Sequence, residues 1–350
     1  MAAIKRRPDQ SMTARVRISR VIALWCAWLL TALLVAAGVM TSFGCSRWAC
    51  ELLSHFPGQL AAAALLASAT FAFVGRIRCI VIPVVVAAWN IGALVPFYAS
   101  APTMLAPPPS DAHVIRVVAM NVAAENRDRT RVIRFIRAIN PDVLLITEMN
   151  GFWAVALEEV AVDFPFRRLE PREGHYGIGL MSRLPFTALD GKPAGAHAVV
   201  ARLTTPRLTI VGTHAFPPFT PRLLVRRNEE FAEIAAFVRE QREPVVLVGD
   251  LNSSSWSSAF RDFLRDAGLR DTRLGRGVQP TWPAWLPIAQ VPIDHALVSP
   301  TVRVHNRFVG DRVGSDHLPI VVDVSLDQSP VPTSNESGDR DTRTADPRRG

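Results

Sequence analysis

VVLVGDLN, residues 245–252, runs four apolar residues into glycine, aspartate, leucine and asparagine. A short β-branched run of this kind reads as a buried strand. Asp250 and Asn252, one residue apart at its exit, can point into the same space. An aspartate there can orient or deprotonate water, and an asparagine amide can donate to a phosphoryl oxygen. The same residues would also suit an Asx turn leading into a helix over Ser257–Ala267. The choice between the two rests on whether the chain repeats the pattern.

It does. Asn121 ends VVAMN, Glu148 ends VLLITE and His214 ends TIVGTH. Asp294 and His295 lie in VPIDHALVS, and Asp316 and His317 in GSDHLPI. Carboxylates, amides and imidazoles at strand ends are what metal-assisted phosphate hydrolysis needs. Glu148 at a sheet rim suits a hard cation such as magnesium, which prefers oxygen ligands and keeps several waters. His214 can donate or accept a proton near neutral pH. Asp316, beside His317 at a glycine-containing loop, is positioned to fix the imidazole and raise its basicity. Taken singly, each has a bland reading: a solvated glutamate, a turn asparagine, a structural histidine.

Working outward, VIRVVAM, DVLLIT, GIGLMS, AHAVVARLTT, RLTIVGTH, IDHALVS and LPIVVDVSL read as strands, with a hairpin around Pro206. DRTRVIRFIRAIN sets Val132, Phe135, Ile136 and Ile139 on one helical face. FWAVALEEVAV, PRLLVRRNEEFAEIAAFVREQ and SSAFRDFLRDAG are further helices. Apolar strands with interspersed helices suggest stacked sheets with helices outside. No internal repeat is visible.

The N-terminal third differs. Val21–Ser46 and Cys79–Ser110 carry no charge, and Leu52–Gly75 none beyond neutral His55. Each approaches the roughly 20 apolar residues that cross a bilayer. Three transmembrane helices are therefore expected over 21–99, with the alanine-rich middle run the weakest. Its alternative is a buried or re-entrant hairpin, which would leave the catalytic region cytoplasmic. A cleaved signal peptide competes for the first run, but the long basic tail and two later runs favour an uncleaved anchor. The net charge of +8 collects before the first run, at Lys5, Arg6, Arg7, Arg15, Arg17 and Arg20. The basic pI of about 10.3 is thus a topology signal more than a footprint for DNA. With Arg76 and Arg78 in an inner turn, the N-terminus is cytoplasmic and the catalytic region extracytoplasmic. Cys45 and Cys50 share the expected outer loop, where either a disulfide or buried thiols would fit.

In their order and contexts, MNV, TEMN, GTH, VGDLNSSSWSSAF, PTWP, PIDHALVS and GSDHLPI resemble the endonuclease/exonuclease/phosphatase superfamily across nearly all of 114–325. Pancreatic-type deoxyribonucleases, abasic-site endonucleases, neutral sphingomyelinases and inositol-polyphosphate 5-phosphatases belong to it. The resemblance implies an α+β fold, a four-layer α/β/β/α sandwich. It implies that Glu148 is the main metal ligand with Asn121 beside it, and adds Asp316 to the ligands. Asp250 would orient or activate water and Asn252 bind phosphate. His317 would contact the scissile phosphate with Asp316 in support, Asp294 would position the network, and His214 would donate a proton or bind phosphate. Mg2+ is the implied cofactor, with Mn2+ as its alternative. Tyr176 is expected to pack, with a cleft-facing position as the alternative. The second glutamate that accompanies the TH histidine in the deoxyribonuclease branch has no counterpart in the reading. There is no basic groove interleaved with aromatics, which weakens a DNA-repair role. Apolar spans before an external domain resemble a membrane-anchored bacterial branch.

The expected organisation is a cytoplasmic basic tail (1–20), three spans (21–99), a proline-rich linker (100–112), the catalytic domain (113–325) and a disordered tail (326–350). The expected function is a multi-pass, inner-membrane, Mg2+-dependent phosphoric-ester hydrolase. Its partners would be the bilayer and a phosphate ester, either nucleic acid or a lipid headgroup. The alternative is a membrane protein whose outer domain binds a phosphorylated ligand without turnover. A transport role is disfavoured, because Asn90 is the one clear polar residue in the apolar runs.

Overall fold

A computed structural model describes residues 10–42, 48–99, 113–190, 193 and 195–326. The expected linker and C-terminal tail, like the start of the basic tail, lie outside these residues.

The chain from 115 to 326 forms two six-stranded mixed sheets. The first holds β1 (Ile115–Asn121), β2 (Val143–Thr147), β3 (Phe166–Glu170), β4 (Ile178–Ser182), β11 (Val302–Val309) and β12 (Ile320–Leu326), in the order β11-β12-β1-β2-β4-β3. The second holds β5 (Phe186–Ala188), β6 (Ala198–Leu203), β7 (Leu208–His214), β8 (Val245–Asp250), β9 (Arg270–Asp271) and β10 (Asp294–Val298), in the order β5-β6-β7-β8-β10-β9. The expected hairpin at Pro206 pairs β6 with β7 from Ala198↔Thr213 to Leu203↔Leu208.

Strand periodicity explains the cores. Even-numbered residues of β8, Val246 and Val248, join one cluster with Val117, Ala119 and Leu145 of the first sheet. Odd-numbered Val245 and Leu247 join another with Phe231, Phe260 and Phe263 of α7 (Pro221–Arg239) and α8 (Ser258–Ala267). On the first sheet, Leu144 and Ile146 pack with Ile133, Ile136 and Trp153 of α5 (Arg129–Ile139) and α6 (Gly151–Ala156). The helices start where capping chemistry allows. Asp128, Asn150, Thr220 and Ser257 each accept a hydrogen bond from a backbone N–H in the first turn.

The N-terminal region corrects the expectation of three spans. Two helical segments, Arg17–Met40 in α1 (Gln10–Ser42) and Ile77–Phe97 around α4 (Val81–Leu94), are long and apolar enough to cross a membrane. The middle run is broken, and counts as a span only where its bent pair of helices is taken as one. α2 (Trp48–Ser54) and α3 (Pro57–Phe73) meet at 78°. Pro57 opens α3 and cannot supply a backbone donor, so one straight helix does not form. α3 lies antiparallel to α4, with Gly58 beside Leu94. Leu34, Ala64 and Ala87 join α1, α3 and α4 in one small apolar cluster. Cys50 is disulfide-bonded, whereas Cys26 and Cys79 are free. Cys45, its expected partner, lies outside the described residues.

This N-terminal module docks on α7 and on loops of the catalytic domain. The Glu51 carboxylate meets the Arg227 guanidinium at 2.7 Å, and both side chains are buried. The Trp48 indole donates to Pro218 O at 2.6 Å, and Trp256 donates to Ala93 O at 3.0 Å. Backbone N–H groups of Gly275 and Gly277 donate to Pro96 O and Phe97 O.

Gly249 has φ +139°, and a Cβ there would sit 1.9 Å from Thr213 O. Gly249→Ala is therefore expected to destabilise the protein by more than about 3 kcal/mol. Thermal denaturation of the full chain in detergent measures this as a large fall in Tm.

Candidate active site

Strand pairing builds one row of the site. His214↔Asp250 are register partners across parallel β7 and β8. Asp294↔Asp250 are partners across antiparallel β10 and β8. Asp250 shares the parity of Val246 and Val248, so its side chain faces the space between the sheets. Asp294 shares that of Ala296 and Val298. His295, the next residue, faces the other way. Its ring packs 4.4 Å from that of Phe260, and Nε2 lies 2.7 Å from Ser253 O.

The facing sheet supplies the second half. Asn121 is the last residue of β1, in the inward parity of Val117 and Ala119. Glu148 follows β2 and by alternation would point toward the helices with Leu144 and Ile146. Its left-handed backbone, φ +56°, breaks the alternation. The carboxylate instead accepts from Asn121 Nδ2 at 2.9 Å and from the Ala124 N–H at 3.1 Å. Asn121 Nδ2 also lies 3.3 Å from Asp250 Oδ2, joining the two halves.

His317 enters from the loop before β12. Its Nδ1 is 2.9 Å from Asp294 Oδ2 and its Nε2 3.6 Å from Asp250 Oδ2. His214 Nε2 stands 3.6 Å from Asp250 Oδ2 and 4.0 Å from Glu148 Oε1. The structure thus brings together Asn121, Glu148, His214, Asp250, Asp294 and His317. Asn252 and Asp316 line the same cleft, of about 800 Å³. Asn252 donates its backbone N–H to Asp250 Oδ1 and its side-chain amide to Ala215 O.

One expectation fails. The partner that holds the His317 imidazole is Asp294, with Asp316 adding only its charge. The exposed Asp316 carboxylate instead accepts from the Trp282 indole at 3.0 Å. It also stands apart from both groups of side chains able to share a cation, Glu125–Glu148–His175 and Asp250–Asp294–His317. Sequence reasoning missed His175, whose Nδ1 lies 2.8 Å from Glu148 Oε2, and Glu125, 3.5 Å from His175 Nε2. It also missed buried Glu230, which accepts from the Phe216 N–H and lies 2.7 Å from His197 Nδ1. The GHYG stretch held a signal for His175. Tyr176, expected to pack or else to face the cleft, does both: it stacks on His197 at 4.8 Å and lines the cleft.

The electrostatics follow from burial. Burial opposes charge on His317, but the Asp294 and Asp250 carboxylates outweigh it and push its pKa up to about 10. Burial lowers His214 to about 4, leaving a neutral imidazole at neutral pH. Burial raises the Asp250 carboxyl to about 7. Burial also opposes the charge on Glu148, yet bonds from His175 and Asn121 hold its pKa below the usual value. Two carboxylates meet in each of the groups able to share a cation, Glu125 and Glu148 in one, Asp250 and Asp294 in the other. Oxygen donors at this density fit a hard divalent cation.

A sequence model of the Endonuclease/Exonuclease/phosphatase family matches residues 87–317. The chain belongs to this family. Membership, with this donor set, makes it a metal-dependent phosphoric-ester hydrolase. TDP2 of D. rerio complexed with single-strand DNA product is similar in fold, at 16% identity and a TM-score of 0.50, covering 61% of this chain and 99% of that one. A family protein of Beutenbergia cavernae is 20% identical (TM-score 0.46; 61% and 72% covered). A Neisseria 3′ phosphatase, NExo, bound to a product DNA hairpin, is also 20% identical (TM-score 0.49; 59% and 98% covered). A comparison with curated proteins found no match.

In this family member, His317 should stay protonated across neutral pH. The stability its charge lends is complete below pH 6.5 and is lost as the pH rises through about 10. NMR of the imidazole in metal-free protein should show no titration between about pH 6 and 8, and Asp294→Asn should bring the titration down toward the ordinary histidine value.

Proposed function

We propose that this chain is a membrane-anchored hydrolase of phosphodiesters that uses Mg2+, with Mn2+ as the alternative, and works outside the cytoplasm. The observation that carries the reading is the meeting of the His214–Asp250–Asp294 row with Glu148, Asn121 and His317 across the two sheets. We take the three apolar clusters, one between the sheets and one under each helix pair, as the α/β/β/α arrangement of the family.

Glu148, with Asn121 and Glu125 beside it, would hold the cation, which would offset charge on the phosphoryl oxygens. Asp250, with a carboxyl near neutral pKa, orients the attacking water and takes its proton. His317 carries a positive charge fixed by Asp294 and donates from Nε2 to a phosphoryl oxygen. Neutral His214 lies against Asp250 and steadies the bound phosphate. Asn252 fixes Asp250 through its backbone N–H and borders the phosphate position.

Orientation is read from the two ends of the apolar helices. α1 leads into α2, and α4 into Pro96 and Phe97, so both C-terminal ends lie against the catalytic domain. Their opposite ends carry Arg15, Arg17 and Arg20, and Arg76 and Arg78. Basic flanks favour the cytoplasmic side, and with α3, antiparallel to α4, taken as the return crossing, the domain lies outside.

The full chain in detergent should hydrolyse bis(p-nitrophenyl) phosphate with Mg2+ and lose this activity in EDTA. Asp250→Ala should lower kcat by about a thousandfold, as loss of a general base does. Full activity of that variant would overturn the assignment, and absence of turnover with either metal would favour a phosphate-binding protein. Protease added outside intact spheroplasts should cut the catalytic domain; protection would reverse the topology.

A further inference from the structure

The active-site cleft has a wall that the catalytic domain does not make. Leu52 and Phe56, from α2 and the joint into α3, line it together with Glu148, Asp250 and His317, and so does His55 between them in the chain. This wall is held by buried polar contacts. Glu51 bonds Arg227 and accepts from Ser257 Oγ at 2.7 Å, and His55 Nδ1 lies 2.8 Å from Ser254 Oγ. Arg227 in turn donates to Asn252 O, two residues past Asp250. The module is therefore fixed to the loop that follows Asp250.

The chemistry of the cleft is one-sided. Among its described lining residues none is lysine or arginine, whereas four are carboxylates. A polyanionic strand is held mainly by cations along its backbone, and the cleft offers none beyond histidine. The apolar share is large: Pro217, Pro218, Phe219, Val291 and Ile293 line it with Leu52 and Phe56. Phe219 is 66% exposed, and Trp285 and Ile288, following the lining residue Trp282, are 63% and 80% exposed. Gln59 of α3 donates to Ile288 O and Gln290 O, so this loop is tied to the apolar helices. The wall continues through α3 along α1 and α4, the two segments able to cross a membrane.

We propose that Leu52 and Phe56 form a subsite for an aliphatic chain, and that the substrate is an amphipathic phosphodiester whose tail lies on this wall while its phosphate reaches Asp250 and His317. The inference rests on the hydrolase reading and names the substrate class of that site. Hydrolysis forms a bond from water oxygen to phosphorus and passes the water proton to Asp250; the bond to the leaving oxygen breaks, and that oxygen takes the electron pair and a proton from solvent to depart as an alcohol.

The test compares octyl p-nitrophenyl phosphate with methyl p-nitrophenyl phosphate, each releasing p-nitrophenolate, on the full chain in detergent with Mg2+. Burial of about three methylenes should favour the octyl ester by roughly 50-fold in kcat/KM. Leu52→Ala and Phe56→Ala should each lower the octyl-to-methyl ratio by about threefold to tenfold. Both esters are assayed on one preparation, so a misfolded fraction cancels from the ratio. Single-stranded DNA should neither be cleaved comparably nor compete. A ratio near one, a ratio unchanged in both variants, or DNA cleaved at higher kcat/KM than the octyl ester would overturn the subsite while leaving the hydrolase intact. No turnover of either ester would overturn the hydrolase reading, and the subsite with it.

Discussion

A one-residue slip in the pairing of β8 would carry Val246 and Val248 out of the core between the sheets and turn Asp250 toward α7 and α8. Burial of those valines is what forbids the slip. The same constraint governs β7 and β10, where Ile210, Ala296 and Val298 share the inter-sheet core. Register therefore does two jobs at once. It closes the apolar interior, and at the rim it sets three chemically active side chains in adjacent columns. Gly249 is part of this arrangement, since its missing side chain lets β8 approach Thr213 of β7.

The charges sit where they do because the packing leaves them little water. Asp250, Asp294, His214 and His317 are all buried, and each finds its balance in another member of the group. Such a cluster is costly unless paired, and the pairing here crosses between sheets through Asn121 and His317. The left-handed backbones at Ala123, Glu148 and Asn252 concentrate at this rim, where strain is offset by the hydrogen bonds the bends permit.

Much of this was legible in the residues. Inner strands such as VLLIT and VVLVG are continuous apolar runs, and the site residues follow them directly. Outer strands were not legible. β3 reads FRRLE and β11 reads VRVHNRFV, with charges that mask any alternation because one edge meets solvent. Sequence adjacency suggested the Asp316–His317 pair, whereas the contact to His317 comes from a strand 23 residues away. Glu230 lacked any local pattern, because its partner His197 lies at a distant point of the chain. Glu51 likewise has no local pattern that marks it as the partner of Arg227, which lies far along the chain.

That ion pair joins parts of the chain on either side of residues 100–112. Breaking a buried pair by removing one partner costs about 3–5 kcal/mol, because a charge is left uncompensated. Trp48, His55, Trp256 and Phe97 add further contacts across the same boundary. Cutting the chain between 100 and 112 would therefore not liberate a free enzyme. The two fragments would remain a non-covalent heterodimer, and a catalytic half expressed alone would present a buried arginine and an open cleft wall to water.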